Sequence, residues 1–288
     1  MRHINKGDQF VVACVDSPET APAVIAAARL FAGRLRNKSL MLLNVSGDNS
    51  ASGWLKQYDI PFAALRGDWA TAIEGLPTVF NAVLAVTAVD AAAPRSSIAN
   101  PRTLLRAFRR CKIAYLTIPV SGVQSAVSGD AAQNSGMQPI TEHSSLHAGL
   151  TTVLTVDHHR ESKEKLIWAS YLARFLGASL TVALPQYKDA GLSTLQNNNI
   201  RYIDKIFPPQ GISYTKRSID TSGLNTSPDL QALDTLHPDL FIALTTDPRA
   251  TDPLDWLFGT PDRRIITHPS ATPVLLLNPR DDLYVLCD

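Results

Sequence analysis

The chain repeats itself, and the repeat restricts its fold more than any other feature. Residues 10–16 read FVVACVD; 141 positions later, residues 151–157 read TTVLTVD, again a short apolar run ending on aspartate. Each run is followed by apolar positions at helical spacing: Val24, Ala27, Phe31 and Leu35 in one copy, Leu166, Ala169, Leu172 and Leu176 in the other. Ser17, Thr20 and Pro22 supply start chemistry for the first helix, and Gly177 a stop for the second. Second runs follow at 40–45 (LMLLNV) and 180–184 (LTVAL). Further on, 82–86 matches 240–244, and 113–119 matches 273–279, at an offset grown to about 160. The growth locates an insertion in the second copy between 185 and 211, where a helix over 195–207 ends at Pro208-Pro209.

These apolar runs are continuous rather than alternating, as expected of parallel strands covered on both faces. Strand and helix alternate through each copy, and right-handed crossovers turn such a series into an open parallel sheet with helices on both sides. The fold class is therefore α/β, a tandem of two doubly wound sheets. Residues 121–149, rich in Ser, Gly, Ala and Gln without periodicity, read as a linker. The division is 1–120, 121–149 and 150–288. A length of 288 residues suits two domains.

Composition matters for what it excludes. With 45% hydrophobic and 18% charged residues the chain is globular rather than disordered. No apolar run reaches the roughly 18 residues of a membrane span, and the start, MRHINKGDQF, lacks the apolar region of a secretory signal. Cys14, Cys111 and Cys287 form neither a disulfide framework nor a zinc pattern. A cytoplasmic protein is expected, with no membrane partner. The net charge of +1 provides no overall attraction to nucleic acid. It nonetheless conceals an asymmetry. Residues 1–119 hold 14 Lys+Arg against 8 Asp+Glu, or +6; residues 120–288 hold 13 against 18, or −5. The halves are expected to attract across an internal pseudo-twofold interface.

Open parallel sheets bind ligands beyond the carboxyl ends of their strands, where the strand order reverses. Asp16 and Asp157 end the first strands of their copies and belong there. Opposite them should lie the loop after the fourth strand and the helix it enters, whose amino end can receive an anion. In the second copy that loop spans 245–260. Gly259 would let backbone approach an anion, and Thr260 offers a hydroxyl at the start of a helix over 261–268.

These residues, with the segment LDWLFGTPDRRIITHPSATPVLLL at 254–277, make the chain resemble a tandem universal stress protein. The resemblance covers roughly 9–119 and 150–279. It implies a Rossmann-like fold related to the adenine nucleotide alpha hydrolases, and pairing through last strands, here between the two copies or in a homodimer. It also implies, for one branch, ATP bound with the strand-end aspartate near the adenine. In that branch the phosphates lie in a loop of form Gly, two residues, Gly, nine residues, Gly-Ser/Thr. Here Thr246 and Arg249 occupy the two earlier glycine positions, and only Gly259-Thr260 conforms. Arg249 either obstructs a phosphate or replaces backbone by a cation. The first copy has no glycine across 87–101 and carries Asn100-Pro101 where Gly-Ser would stand, so Asp16 and Asn100 mark a degenerate site. The nucleotide-site set is Asp157, His158, Thr246, Arg249, Gly259 and Thr260, for ATP or AMP, with or without magnesium.

Other features have plainer readings. His158-His159 could ligate metal or touch phosphate, but no nearby Cys or His completes a site. His143 and His147 lie in the linker without a catalytic glutamate. Arg102, Arg106 and Arg109 form a stripe read as the solvated face of a helix. Asp281-Asp282 reads as a turn before a terminal LYVL segment, and Cys287 as a thiol in that tail. Three functions remain open: a stress-type binding or scaffold protein without turnover, a slow nucleotide hydrolase drawing on Asp157, Asp247 and His158, and an interaction module with both pockets degenerate.

Overall fold

The computed structural model describes residues 9–35, 38–45, 50–64, 69–111, 113–120, 146–159, 162–220, 227–246 and 259–278. The first half runs β1 (Gln9–Val15), α1 (Ala21–Arg34), β2 (Lys38–Asn44), a 3-10 segment (Ser50–Tyr58) and β3 (Phe62–Ala64). It continues through α2 (Trp69–Glu74), α3 (Leu76–Val79), β4 (Ala82–Val89), α4 (Pro101–Phe108) and β5 (Ala114–Pro119). The second half runs β6 (Thr151–Thr155), α5 (Ser162–Tyr171), a π turn (Leu172–Leu176) and β7 (Ser179–Pro185). Then follow α6 (Ala190–Ile206), β8 (Tyr214–Ile219), α7 (Pro228–Leu236), β9 (Leu240–Leu244), α8 (Pro261–Ile266) and β10 (Val274–Leu277). The linker at 121–145 and the tail from 279 lie outside the described residues, as do Cys287 and Asp281-Asp282.

Both halves have the doubly wound order that their repeated pattern predicts, but they are joined. The strands form one ten-stranded sheet, β3-β2-β1-β4-β5-β10-β9-β6-β7-β8. Every pairing within a half is parallel. The central one is antiparallel, with Leu116 opposite Leu275. The Thr117 hydroxyl adds a buried bond across this seam, donating to the Val274 carbonyl at 3.1 Å.

Period-two alternation along the strands divides the core by face. Val11, Ala13, Val15, Leu154, Leu275 and Leu277 face one layer, packed on Phe31 of α1, Leu166 of α5 and Ile203 of α6. Phe10, Val12, Val153, Val274 and Leu276 face the other, packed on Leu104 and Phe108 of α4, Leu233 of α7 and Ile265 of α8. Each layer runs unbroken through both halves. Fully burying one such Leu or Phe contributes about 1.5–3 kcal/mol, so the seam belongs to the core.

Local chemistry sets the bounds of the second half's first two helices. Asp189 caps α6 by accepting from the Leu192 amide at 2.8 Å. The inserted helix is longer at its start than the apolar spacing alone predicts, because this cap precedes the first apolar contact. Gly177 stops the π turn in the left-handed region, at φ 68°.

Candidate functional site

The first crevice is filled from within. Asp16 stands just past β1, and its Oδ2 accepts a hydrogen bond from the Ser97 hydroxyl on the loop after β4. Asn100 caps α4, its Oδ1 accepting from the amides of Arg102 (3.1 Å) and Thr103 (3.4 Å). Its Nδ2 donates to the Ala93 carbonyl at 2.7 Å. The strand-end carboxylate and the helix start, where a ligand would be gripped, are both engaged by the chain's own loop.

The second crevice is different at its strand end. Asp157 follows β6, and its Oδ1 accepts from the His159 amide (2.9 Å) and the Ser162 hydroxyl (2.5 Å). Both bonds use Oδ1, and among the described residues Oδ2 has no hydrogen-bond partner. Burial pushes the Asp157 carboxyl upward, but Lys165, the Ser162 hydroxyl and the His159 amide outweigh it and hold the group below the usual carboxylate range. Asn199 of α6 fixes the loop, donating to the carbonyls of Asp157 (2.8 Å) and His159 (2.9 Å). His158 lies beside Tyr187, with Nδ1 3.2 Å from the phenol oxygen and the rings edge to face. Burial and the charge of Asp157 push the Tyr187 hydroxyl up to about 12, so it is a neutral donor at physiological pH.

Beneath Asp157 lies a charged cluster absent from the sequence reading. Lys165 of α5 is only 1% exposed and donates from Nζ to the Thr155 hydroxyl at 2.9 Å. That hydroxyl in turn donates to Asp229 in the first turn of α7. Burial raises the Asp229 carboxyl, the charge of Asp157 adds to the rise, and Lys165 and Thr155 oppose it. The buried ammonium thus has two carboxylates around it, one shifted down and one up.

The helix-start end of the second crevice is occupied by a side chain. Asp262 of α8 is fully buried. Its Oδ2 accepts from the Thr246 amide (3.0 Å) and its Oδ1 from the Arg263 amide (2.9 Å). Arg109, at the end of α4 in the first half, donates from Nη2 to Asp262 (2.9 Å) and to the Thr260 hydroxyl (3.1 Å). The reading of Arg109 as a solvated stripe residue is therefore corrected: its side chain is 19% exposed and bonds across the halves. Gly259 has φ +85°, and a Cβ there would meet the Arg263 side chain at 3.2 Å. Its missing side chain makes room for packing within the chain.

Asp157 and His158 thus meet at one end of the crevice, and Thr246, Gly259 and Thr260 gather around Asp262 at the other. Arg249 and Asp247 lie outside the described residues. Tyr187, Asn199, Lys165, Asp229, Asp262 and Arg109 were missed as site residues. One signal was present for two of them, a hydroxyl-Pro-Asp opening of a helix, at Ser227-Pro228-Asp229 and Thr260-Pro261-Asp262.

Solved structures align over nearly the whole chain, two of them universal stress proteins. A universal stress protein from Archaeoglobus fulgidus superposes with a TM-score of 0.63 at 11% identity, over 95% of this chain and 97% of that one. A putative universal stress protein from Pseudomonas aeruginosa gives 0.55 at 15% identity, over 97% and 95%. The fold is that of the universal stress proteins. No family model matches the sequence, and no curated protein matches it significantly.

Within this fold, the described residues at the helix start of the second crevice do not offer the open backbone amides of a glycine-loop phosphate cradle. The Thr246 and Arg263 amides already serve the Asp262 carboxylate, which leaves neither open to a phosphate. Among the described residues, no group of three His, Cys, Asp or Glu side chains is placed to hold a metal ion. No described helix is long and apolar enough to cross a membrane.

Proposed function

We propose that the chain is a tandem universal stress protein, with domains at 1–120 and 150–288 joined by 121–149, acting in the cytoplasm by binding rather than by turnover. Its ligand crevice is the second one, and the first domain is structural. The observation that carries this reading is the asymmetry between the strand-end aspartates. Asp16 is bonded by Ser97 from the loop across its crevice, whereas Asp157 takes its described bonds from its own strand-end loop and the start of α5 and is held below the usual carboxylate range. An ionised, oriented carboxylate oxygen accepts from an exocyclic amine such as that of adenine. Tyr187 and His158 provide the flat wall beside it. Because Asp262 fills the helix-start end, the favoured ligand is an adenine nucleoside or monophosphate, and additional phosphates bring no gain there.

A second reading, an interaction module with both crevices closed, is favoured by one observation: Asn100 and Asp262 each occupy the helix start of their own half. Titrations of the full chain with adenosine, AMP and ATP, each with and without magnesium, separate the two by thermal shift. We expect saturable stabilisation by adenosine and AMP that Asp157→Ala abolishes, with ATP binding no tighter than AMP. Absence of any shift supports the interaction module. Release of phosphate above a buffer blank supports a hydrolase and overturns both.

A further inference from the structure

On the outer face of the second half, a groove of about 380 Å³ runs between α5 and α6. Its lining includes His158, Lys163, Asn198, Arg201, Tyr202 and Lys205. Arg201 and Lys205 are four residues apart on α6, so they project from one face of that helix, and Lys163 stands across the groove on α5. Its Nζ lies 5.3 Å from the centre of the Tyr202 ring. Among the described residues, none of these three cations forms an ion pair. The described acids of the same region are placed elsewhere: Asp189 caps α6, Asp204 pairs with Lys216, and Glu164 is buried.

Like charges four residues apart on a helix destabilise it by a few tenths of a kcal/mol. Here they are held against a third cation, Lys163, in one groove. The cations line a groove rather than a flat face, which favours an anion small enough to enter it over an extended polyanion such as nucleic acid or a membrane surface. A small anion inside the groove meets the three cations, with the Asn198 amide, His158 and the Tyr202 ring beside them. The volume lies within the range of small-molecule sites. Clustered phosphates suit three convergent cations, since each accepts charge-assisted hydrogen bonds.

We propose that the α5–α6 groove is a binding site for a compact polyphosphate anion, either free or carried by a small molecule. This site adjoins the Asp157 crevice at His158 and Asn199 but rests on the cations of α5 and α6, not on the reading given for that crevice. The test is calorimetric titration of the full chain with inorganic tripolyphosphate at low and high salt. One-to-one binding that weakens with salt is expected. The double substitution Arg201→Ala/Lys205→Ala should weaken it at least tenfold, and Arg201→Lys/Lys205→Arg should restore it. Removing two exposed cations from the first half, Arg34→Ala/Lys56→Ala, should leave it unchanged. Displacement of tripolyphosphate by ATP would mark the phosphate as carried on a nucleoside; failure of ATP to displace it would mark the free anion. No binding, or equal loss with the control pair, overturns the proposal. Tighter capture of an oligonucleotide or of anionic vesicles, which tripolyphosphate fails to displace, overturns it as well.

Discussion

Replacing Asp262 tests whether the bond between the halves stabilises the whole molecule. Its buried carboxylate serves three donors, the amides of Thr246 and Arg263 and the guanidinium of Arg109. Asp262→Ala leaves two amides and a mostly buried cation without their acceptor. Breaking a buried ion pair from one side costs about 3–5 kcal/mol. Arg109→Met is milder, because Asp262 keeps both amides and Arg109 is 19% exposed. Losing one charged hydrogen bond costs about 1.5–3 kcal/mol. The double variant should then be little worse than Asp262→Ala alone, which corresponds to a coupling of about 1.5–3 kcal/mol. Urea unfolding followed by tryptophan fluorescence and circular dichroism reads these differences as shifts in midpoint at constant slope. Additivity of the two single changes to within about 0.5 kcal/mol would falsify the coupling. Asp262→Asn keeps an acceptor for one amide but removes the buried charge, so in this variant ATP should gain affinity relative to AMP.

Three further outcomes follow from the same contacts. Because the native carboxyl of Asp157 is lowered, its stabilisation is complete above the ordinary aspartate range, near pH 4, and is lost as pH falls through the native value. Asp157→Asn should therefore destabilise at pH 7 and cease to matter in strong acid; an undiminished effect in acid refutes the charge argument. Asp229 has the opposite sign. Its raised native value makes ionisation cost stability as pH rises from the ordinary range, so Asp229→Asn should raise the urea midpoint at pH 7 and do nothing in acid. Leu275→Ala in the seam should cost about 2–5 kcal/mol, lowering the unfolding transitions of both halves together; two separated transitions would show that the halves unfold independently.

Much of the fold was legible in the sequence because buried parallel strands need continuous apolar runs, and LMLLNV and LTVAL supply them in matching places. The strand-end positions of Asp16 and Asp157 were legible for the same reason. The occupants of the helix-start ends were not. Spacing along α4 puts Arg102, Arg106 and Arg109 near one face, but only the position of the second half decides which of them meets a carboxylate. Lys165 sits within SKEKL, the charged opening of α5, where nothing in the spacing marks one lysine as buried. Its burial depends on Asp157 and on Asp229, which lies 64 positions beyond it in the chain. Asp262 turns inward because the Thr246 amide waits there, a fact of three-dimensional proximity that composition and period do not encode.

The antiparallel seam between β5 and β10 has a consequence for how the two halves can change over time. In a pair made of identical chains, every substitution appears on both sides of the axis, and a cation introduced at the contact faces its own copy. Covalent fusion removes that restriction. Each half always meets the same unlike partner at fixed one-to-one proportion and at any dilution, so complementary residues can arise on one side only. Arg109 and Asp262 are such a pair: at the repeat spacing of α4 and α8 their counterparts are Pro269 and Arg102, which cannot form the same bond.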